Sequence, residues 1–209
     1  MVKLIDAIKE KGHPFMVPDC SRDNLVELFK ELGYKVGAEV GVWEGEFTEK
    51  FCIAGFKMYG IDPWVARGID SQFQQEARYG RVLVKLSPAK CILIRKTSME
   101  AVKDFEDGSL DFVYIDGMHK YSFVYEDIVE WTKKIRVGGA ICGHDYMCTD
   151  PKIDTVPIKY QLHLEVQAAV DRYIEENGIE DFYVFGRSKP LNEETRNDTM
   201  LSWLFIKKS

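Results

Sequence analysis

The chain lacks several features that would assign it to a well-known class at once. Its five cysteines are an odd number and form no Cys-x-x-Cys pair, which argues against both a disulfide framework and a cysteine zinc site. No stretch approaches the roughly 20 apolar residues that a membrane helix needs. The N-terminus carries charges throughout and has no apolar core of the kind found in signal peptides. We therefore expect a cytoplasmic protein with no membrane partner.

Basic clusters are also missing, apart from short pairs such as Lys133-Lys134 and Lys207-Lys208. The formal net charge is -6, and the pI is near 5.4. This balance argues against a nucleic-acid partner that is bound mainly through its phosphates. The chain has 209 residues, of which 45% are hydrophobic, so we expect a single domain over residues 1–209. The oligomeric state stays open, and a homo-oligomer is compatible with the sequence.

What the sequence does contain is a regular alternation of apolar runs with helical patterns. Five such runs predict strands of a parallel sheet: Val36–Val42, Lys57–Asp62, Cys91–Lys96, Leu110–Asp116 and Ala140–Asp145. Two further runs near the C-terminus, Asp181–Phe185 and Thr199–Lys207, predict a closing antiparallel pair. The expected fold is α/β and doubly wound, with a mostly parallel seven-stranded sheet, an antiparallel C-terminal strand and helices on both faces.

Two segments lie outside this alternation. Residues 1–33 predict an N-terminal helical appendage, in which a short helix ends at Gly12 and Pro14 and a proline-containing connector leads to a second helix. The segment Tyr146–Tyr160 has two prolines and no periodicity, and loops of that length are usually functional or disordered. We therefore expect residues 146–160 to form a loop on the substrate side.

A glycine turn follows the first predicted strand of the sheet. Its pattern is Glu39-x-Gly41-x-x-x-Gly45, which differs from the Gly-x-Gly-x-x-Gly of dinucleotide-binding proteins. Asp62 ends the next strand, where a carboxylate can accept hydrogen bonds from both hydroxyls of a ribose. Asp62 could equally be a turn or helix-capping aspartate. Together, the turn and the acid favour an adenosine-type ligand without a pyrophosphate.

A second group of polar residues follows the fourth and fifth predicted strands. Asp116 and the pair His144-Asp145 would lie side by side, and two close carboxylates repel each other unless a proton or a cation intervenes. Oxygen ligands favour Mg²⁺, Ca²⁺ or Mn²⁺, and a histidine shifts the preference toward Mn²⁺. Alternatively, Asp145 caps the next segment and His144 hydrogen-bonds within the loop. The three residues predict a divalent cation site.

His119 stands three residues after Asp116, in a loop before a helix. An imidazole has a pKa near neutrality, so it can take a proton from a hydroxyl nucleophile. His119 is therefore a candidate general base. A solvent-facing loop histidine is the alternative.

These motifs resemble those of class I S-adenosylmethionine-dependent methyltransferases. The similarity rests on AEVGVWEGEFT, GIDPW, FEDGSLDFVYIDGMHKY and VGGAICGHDY, between about Gly33 and Tyr146. Among the subfamilies the chain is most similar to the macrocin O-methyltransferase-like group, which is metal-dependent and methylates hydroxyls of small molecules. The resemblance implies a Rossmann-like fold, S-adenosylmethionine as cofactor, and Mg or Mn as the cation.

The resemblance also implies a role for each candidate residue. Glu39, Gly41 and Gly45 would surround the methionine part of the cofactor, Asp62 would bind its ribose, and Thr97 and Ser98 would lie near its adenine. Asp116 would contact both cofactor and cation, Asp145 would be the second cation ligand, and His119 would be the base. Relatives usually carry an acid or amide where this chain has His144. The acceptor is expected to be a small molecule with a sugar-type or natural-product hydroxyl.

Three other functions remain compatible with the residues. A dinucleotide-dependent oxidoreductase shares the alternating architecture, although this chain has Phe47 or Thr48 where the third glycine would stand. A non-catalytic binding module with the same fold would have no use for a base such as His119. Methyl transfer without metal, to a hydroxyl, carboxyl or amine, is the third.

Overall fold

The computed structural model describes residues 4–9, 12–17, 20–66, 70–87, 91–146, 161–186 and 201–209. Within them the helices are α1 (Leu4–Ala7), α2 (Asn24–Glu31), α3 (Glu46–Ile53), α4 (Gln72–Leu86), α5 (Ser98–Ala101), α6 (Tyr121–Lys134) and α7 (Gln161–Glu176). The strands are β1 (Gly12–Val17), β2 (Val36–Val40), β3 (Lys57–Ile61), β4 (Cys91–Ile94), β5 (Leu110–Ile115), β6 (Ile135–Tyr146), β7 (Asp181–Phe185) and β8 (Leu201–Ile206).

All of these strands belong to one sheet, in the order β1-β7-β8-β6-β5-β2-β3-β4. Strand β8 pairs antiparallel with both β6 and β7, and the other pairings are parallel. The predicted doubly wound α/β fold with an antiparallel C-terminal strand is therefore confirmed. Among the described helices, none combines the length and apolar character required to cross a bilayer.

Over the residues that the structure describes, the sheet has eight strands, one more than the seven that the sequence predicts. The eighth strand is β1, which covers part of the segment expected to be a proline-containing connector. It pairs with β7 at the edge of the sheet. An edge strand can contain Pro14 because a proline there need not donate a hydrogen bond to a neighbouring strand. The predicted substrate-side loop lies outside the described residues, apart from Tyr146.

Buried apolar side chains cover both faces of the sheet. On one face the strands pack against α5, α6 and α7, and the cluster includes Val113, Ile128, Trp131 and Val170. On the other face they pack against α1, α2 and α3, and Phe29, Phe51 and Phe112 stack with ring centroids 4.5–5.9 Å apart. Because α2 contributes to this core, the strand ends next to it are held in fixed positions.

Strand order reverses between β2 and β5, and the chain leaves β2 there through Gly41. Gly41 has φ +94°, and a Cβ at this position would lie 2.1 Å from the carbonyl oxygen of Asp116. Only glycine allows the two strand ends to approach so closely. Gly45 starts α3 with φ +76°. Ligands of open α/β sheets bind in the crevice at such a reversal point.

Candidate functional site

Two adjoining cavities open at the carboxyl ends of the strands. The first has a volume of about 620 Å³, and its lining includes Asp62, Thr97, Ser98, Phe123 and Asp127. The second has a volume of about 520 Å³, and its lining includes Arg22, Glu39, Phe47, His119 and His144. Four lining residues are common to both cavities: Gly41, Trp43, Asp116 and Gly117. Each volume is typical of a small-molecule site.

Asp62 lies in the wall of the first cavity and fixes the backbone around it. One carboxylate oxygen accepts a hydrogen bond from the backbone N–H of Trp43 (3.1 Å), and the other accepts one from the N–H of Trp64 (2.8 Å). The turn-forming role that the sequence also allowed is therefore present. Each carboxylate oxygen has a second lone pair, so Asp62 can still accept hydrogen bonds from a ligand.

Strained backbone is concentrated at this site. Within the described ranges, the only residues other than glycine with positive φ are Trp43 (+54°), Trp64 (+44°) and Asp145 (+58°). Trp43 follows β2, Trp64 follows β3, and Asp145 is the second-last residue of β6, so all three lie at the crevice. The Arg78 guanidinium stacks 3.5 Å above the Trp43 ring, and the Trp64 indole donates to the Trp43 carbonyl. Such conformations persist where the surrounding structure enforces them, which is common at functional sites.

Glu39 is an acid in the interior of β2, with only 3% of its surface exposed. Burial raises the pKa of its carboxyl to about 8, although a hydrogen bond from the Thr48 hydroxyl acts in the opposite direction. The nearby charge of Asp116 raises this pKa further. Near neutral pH Glu39 can therefore keep its proton, or release it to solvent when a cation beside it stabilises the carboxylate, at little cost.

Thr97 and Ser98 stand where β4 gives way to α5. The backbone N–H and the hydroxyl of Thr97 both donate to Glu100, at 3.0 and 2.7 Å, which fixes the start of the helix. The Ser98 hydroxyl accepts a hydrogen bond from the Trp131 indole (2.8 Å) and also bonds with the carboxyl of Asp127. Both residues line the first cavity, as a role near a bound ligand requires.

The structure brings Asp116, His119, His144 and Asp145 together. His119 Nε2 lies 2.9 Å from Asp145 Oδ2 and 3.6 Å from Asp116 Oδ1, while His144 Nδ1 lies 3.3 Å from Asp145 Oδ1. One ligand atom each from Asp116, His144 and Asp145 falls within 4.8 Å of the others. Two carboxylates and one imidazole form a donor set that suits a divalent ion of the Mn²⁺ type.

The charges in this group are strongly interdependent. Burial alone would lower the pKa of His119, but contacts with Asp116 and Asp145 outweigh it and raise that pKa to about 10. Burial likewise opposes the ionisation of Asp145, yet His119 and His144 lower its pKa well below the usual range. In this arrangement the pairing with Asp145 favours the protonated form of His119.

Sequence reasoning missed three residues of the site. Arg22 precedes α2 in the segment taken as an appendage, and its Nη1 lies 3.5 Å from Asp116 Oδ2. Trp43 lies inside the glycine turn and lines both cavities. Asp127 is buried in α6, where burial raises its pKa to about 7. Asp127 lies on the same face of α6 as the apolar Val124 and Ile128. An acid on an apolar helix face is a pattern in the sequence that could have indicated a functional residue.

Comparison with known proteins identifies the class of the chain. Residues 38–146 match the family described as "Methyltransferase domain". This match covers more than half of the chain, which therefore belongs to that family. The predicted resemblance to class I methyltransferases is confirmed.

Individual relatives are more distant. The chain is 31% identical over 106 residues to "Uncharacterized protein y4gI" of Sinorhizobium fredii (strain NBRC 101917 / NGR234), and this match covers 51% of the chain. The chain spans about a tenth (10%) of the length of this curated relative.

Among solved structures, the fold is similar to the O-methyltransferase TomG of Streptomyces achromogenes, involved in tomaymycin synthesis and in complex with SAM. The TM-score is 0.60 at 12% identity, covering 91% of this chain and 83% of TomG. An rRNA methylase of Streptococcus thermophilus gives a TM-score of 0.59 at 16% identity, covering 92% of this chain and 100% of that protein. At these identities the likeness concerns the fold alone.

Proposed function

We propose that the protein transfers a methyl group from S-adenosylmethionine to a hydroxyl of a small molecule. The observation that carries the proposal is the pair of adjoining cavities, with the glycine turn and Asp62 on one side and the acid–histidine group on the other. Membership of the methyltransferase family and the SAM-bound fold relative support the same donor.

For the donor, the first cavity is proposed to hold the adenosine part. Asp62 would accept hydrogen bonds from the ribose hydroxyls, and Thr97 and Ser98 would lie beside the adenine. Gly41 and Gly45 bring the backbone close enough for the chain of the ligand to continue into the second cavity, where Glu39 would receive its ammonium group. Asp116 lines both cavities, so it lies where donor and acceptor would meet.

Asp116, His144 and Asp145 would hold a divalent cation such as Mg²⁺ or Mn²⁺. Their ligand atoms are already close together, and their carboxylates would otherwise face each other. When bound, such an ion lowers the pKa of a hydroxyl next to it.

His119 is the proposed general base. Its Nε2 would accept the proton of the acceptor hydroxyl, so that the oxygen can attack the methyl carbon of the sulfonium in line with the leaving sulfur. In the structure this nitrogen faces Asp145 at 2.9 Å and is paired with it. His119 can act as a base only when that ion pair is released and its proton has left. The remaining residues orient the reactants, which is the main contribution that this displacement needs.

The acceptor is proposed to be a small molecule. A net charge of -6 disfavours RNA, although the rRNA methylase shares the fold. Transfer without metal is a second candidate, because His119 is already paired with a carboxylate oxygen of Asp145, one of the proposed cation ligands. Activity that survives a chelator would favour this second candidate, whereas loss of activity restored by Mg²⁺ or Mn²⁺ would favour the metal-assisted reaction.

Calorimetry tests the donor. Titration with S-adenosylmethionine should give saturable binding to one site, and NAD should give none, because the turn lacks the glycine spacing that accommodates a pyrophosphate. Binding of NAD in preference to S-adenosylmethionine would overturn the proposal and favour an oxidoreductase.

A further inference from the structure

The second cavity contains an arginine that the proposed reaction does not yet use. Arg22 lies in the turn before α2, and its guanidinium is 5.3 Å from the centre of the Phe47 ring. Its Nη1 is 3.5 Å from Asp116 Oδ2, and its side chain is 27% exposed. Among the described residues that line this cavity, Arg22 is the only lysine or arginine.

Arginine is chemically suited to bind a carboxylate. Its planar guanidinium has five N–H donors, so one edge can face Asp116 while another receives the two oxygens of a ligand. The contact with Phe47 restricts the orientation of the guanidinium plane, which reduces the entropy lost when a ligand binds. Arg22, which precedes α2, lines this cavity together with Glu39 of β2 and Gly41 of the glycine turn.

Glu39 lines the same cavity and lies close enough for the charge of Arg22 to influence its ionisation. The two side chains thus present a carboxyl group and a guanidinium group to the same cavity. An α-amino acid group has the matching charges, an ammonium and a carboxylate on the same carbon. Because this cavity shares Gly41 with the first one, a ligand whose adenosine part fills the first would place its amino-acid end here.

We propose that Arg22 binds the carboxylate of the amino-acid end of S-adenosylmethionine, while Glu39 accepts a hydrogen bond from the ammonium group. The inference rests on the proposed function, and it adds a determinant of donor specificity contributed by the N-terminal segment. A carboxylate could also belong to the acceptor, which would reach the same cavity. The experiment below separates the two sources.

The test compares S-adenosylmethionine with its decarboxylated analogue, which keeps the sulfonium and the ammonium and lacks only the carboxylate. The wild-type protein should bind S-adenosylmethionine more tightly than the analogue. In Arg22→Met this preference should shrink by about 10–100-fold, because a hydrogen bond to a charged group contributes about 1.5–3 kcal/mol. Arg22→Lys should keep part of the preference, since it retains the charge without the fork.

Glu39→Gln provides the complementary arm. Both ligands carry the ammonium group, so this variant should weaken both to the same extent and leave their ratio unchanged. Arg172→Met is the matched control, because Arg172 pairs with Glu176 within α7 and neither residue lines either of the two cavities. It should leave both affinities as they are in the wild type.

Two results would overturn the assignment of Arg22. Equal weakening of both ligands in Arg22→Met would mean that the arginine only supports the fold, and melting temperatures would show the accompanying loss of stability. Unchanged affinity for both ligands in Arg22→Met would mean that Arg22 does not bind the carboxylate of S-adenosylmethionine. The carboxylate of the acceptor would then be the only candidate partner of Arg22. Failure of the wild-type protein to bind S-adenosylmethionine would instead contradict the proposed function itself.

Discussion

The two sides of the crevice are built differently. On the side of β2 and β3, backbone determines the shape: Gly41 touches the Asp116 carbonyl, and Asp62 is held by two backbone N–H groups. On the side of β5 and β6, ionisable side chains determine it, because His119 is paired with Asp145 and flanked by Asp116. The backbone of the first side is expected to keep its shape at any pH near neutrality, although Glu39 of β2 can change its protonation there. The second depends on where protons and cations reside.

The substitution His119→Ala should show the difference between the two sides most strongly. We expect kcat to fall by about 10²–10⁴-fold, the usual contribution of a general base, with the affinity for S-adenosylmethionine close to that of the wild type. Turnover measurements and calorimetry on the same preparation would check this. A comparable loss of cofactor affinity would show that His119 supports the donor side and is not the base.

The pH dependence of stability should distinguish the buried acid of β2 from the rest of the site. The pKa of Glu39 is about 8 in the folded protein, against 4.5 as its ordinary value. The stability that this group contributes is therefore complete below about pH 4.5 and is lost as the pH rises toward 8. Asp116, Asp62 and Arg22 are the charged groups that act on it.

In the Glu39→Gln variant this side chain cannot ionise. The free energy of unfolding of the variant should therefore rise relative to that of the wild type from pH 5 to pH 9, by an amount on the order of a few kcal/mol. Denaturant unfolding at both pH values would measure this difference. Glu49→Gln, which changes a partly exposed acid of α3, is the control and should show no such trend. Parallel pH profiles for the wild type and Glu39→Gln would contradict the account.

Asp62→Ala should affect the donor side alone. We expect the affinity for S-adenosylmethionine to fall by about 10–100-fold, since hydrogen bonds to a charged acceptor are lost. Asp104→Ala removes an exposed acid that pairs with Lys96 and serves as the control. Unchanged affinity in Asp62→Ala would remove the ribose assignment and leave Asp62 with its turn-forming role only.

The smallest expected effect compares two glycines with nearly the same backbone conformation. Gly41 and Gly55 have φ of +94° and +95°, but a Cβ on Gly55 would meet no atom within 4 Å. Gly41→Ala should therefore destabilise the protein by about 1–3 kcal/mol more than Gly55→Ala, which is the usual cost of overpacking. Equal losses in urea unfolding would mean that the strand ends can move apart.

The sequence predicted those parts of the fold and site that depend on local patterns. Apolar runs ending in polar residues predicted the parallel strands, and parallel strand ends meet at one edge, which is why Asp116 and Asp145 could be expected side by side. The pairing of β1 with β7 could not be predicted, because it joins segments almost at opposite ends of the chain. Arg22 was missed for a similar reason: 94 residues separate it from Asp116.

The proposed binding mode can be tested by a crystal structure with bound S-adenosylhomocysteine. We expect the adenosine in the first cavity with its ribose hydroxyls on Asp62, and the amino-acid end in the second cavity between Glu39 and Arg22. Adenosine density elsewhere, or a ribose that makes no contact with Asp62, would contradict it.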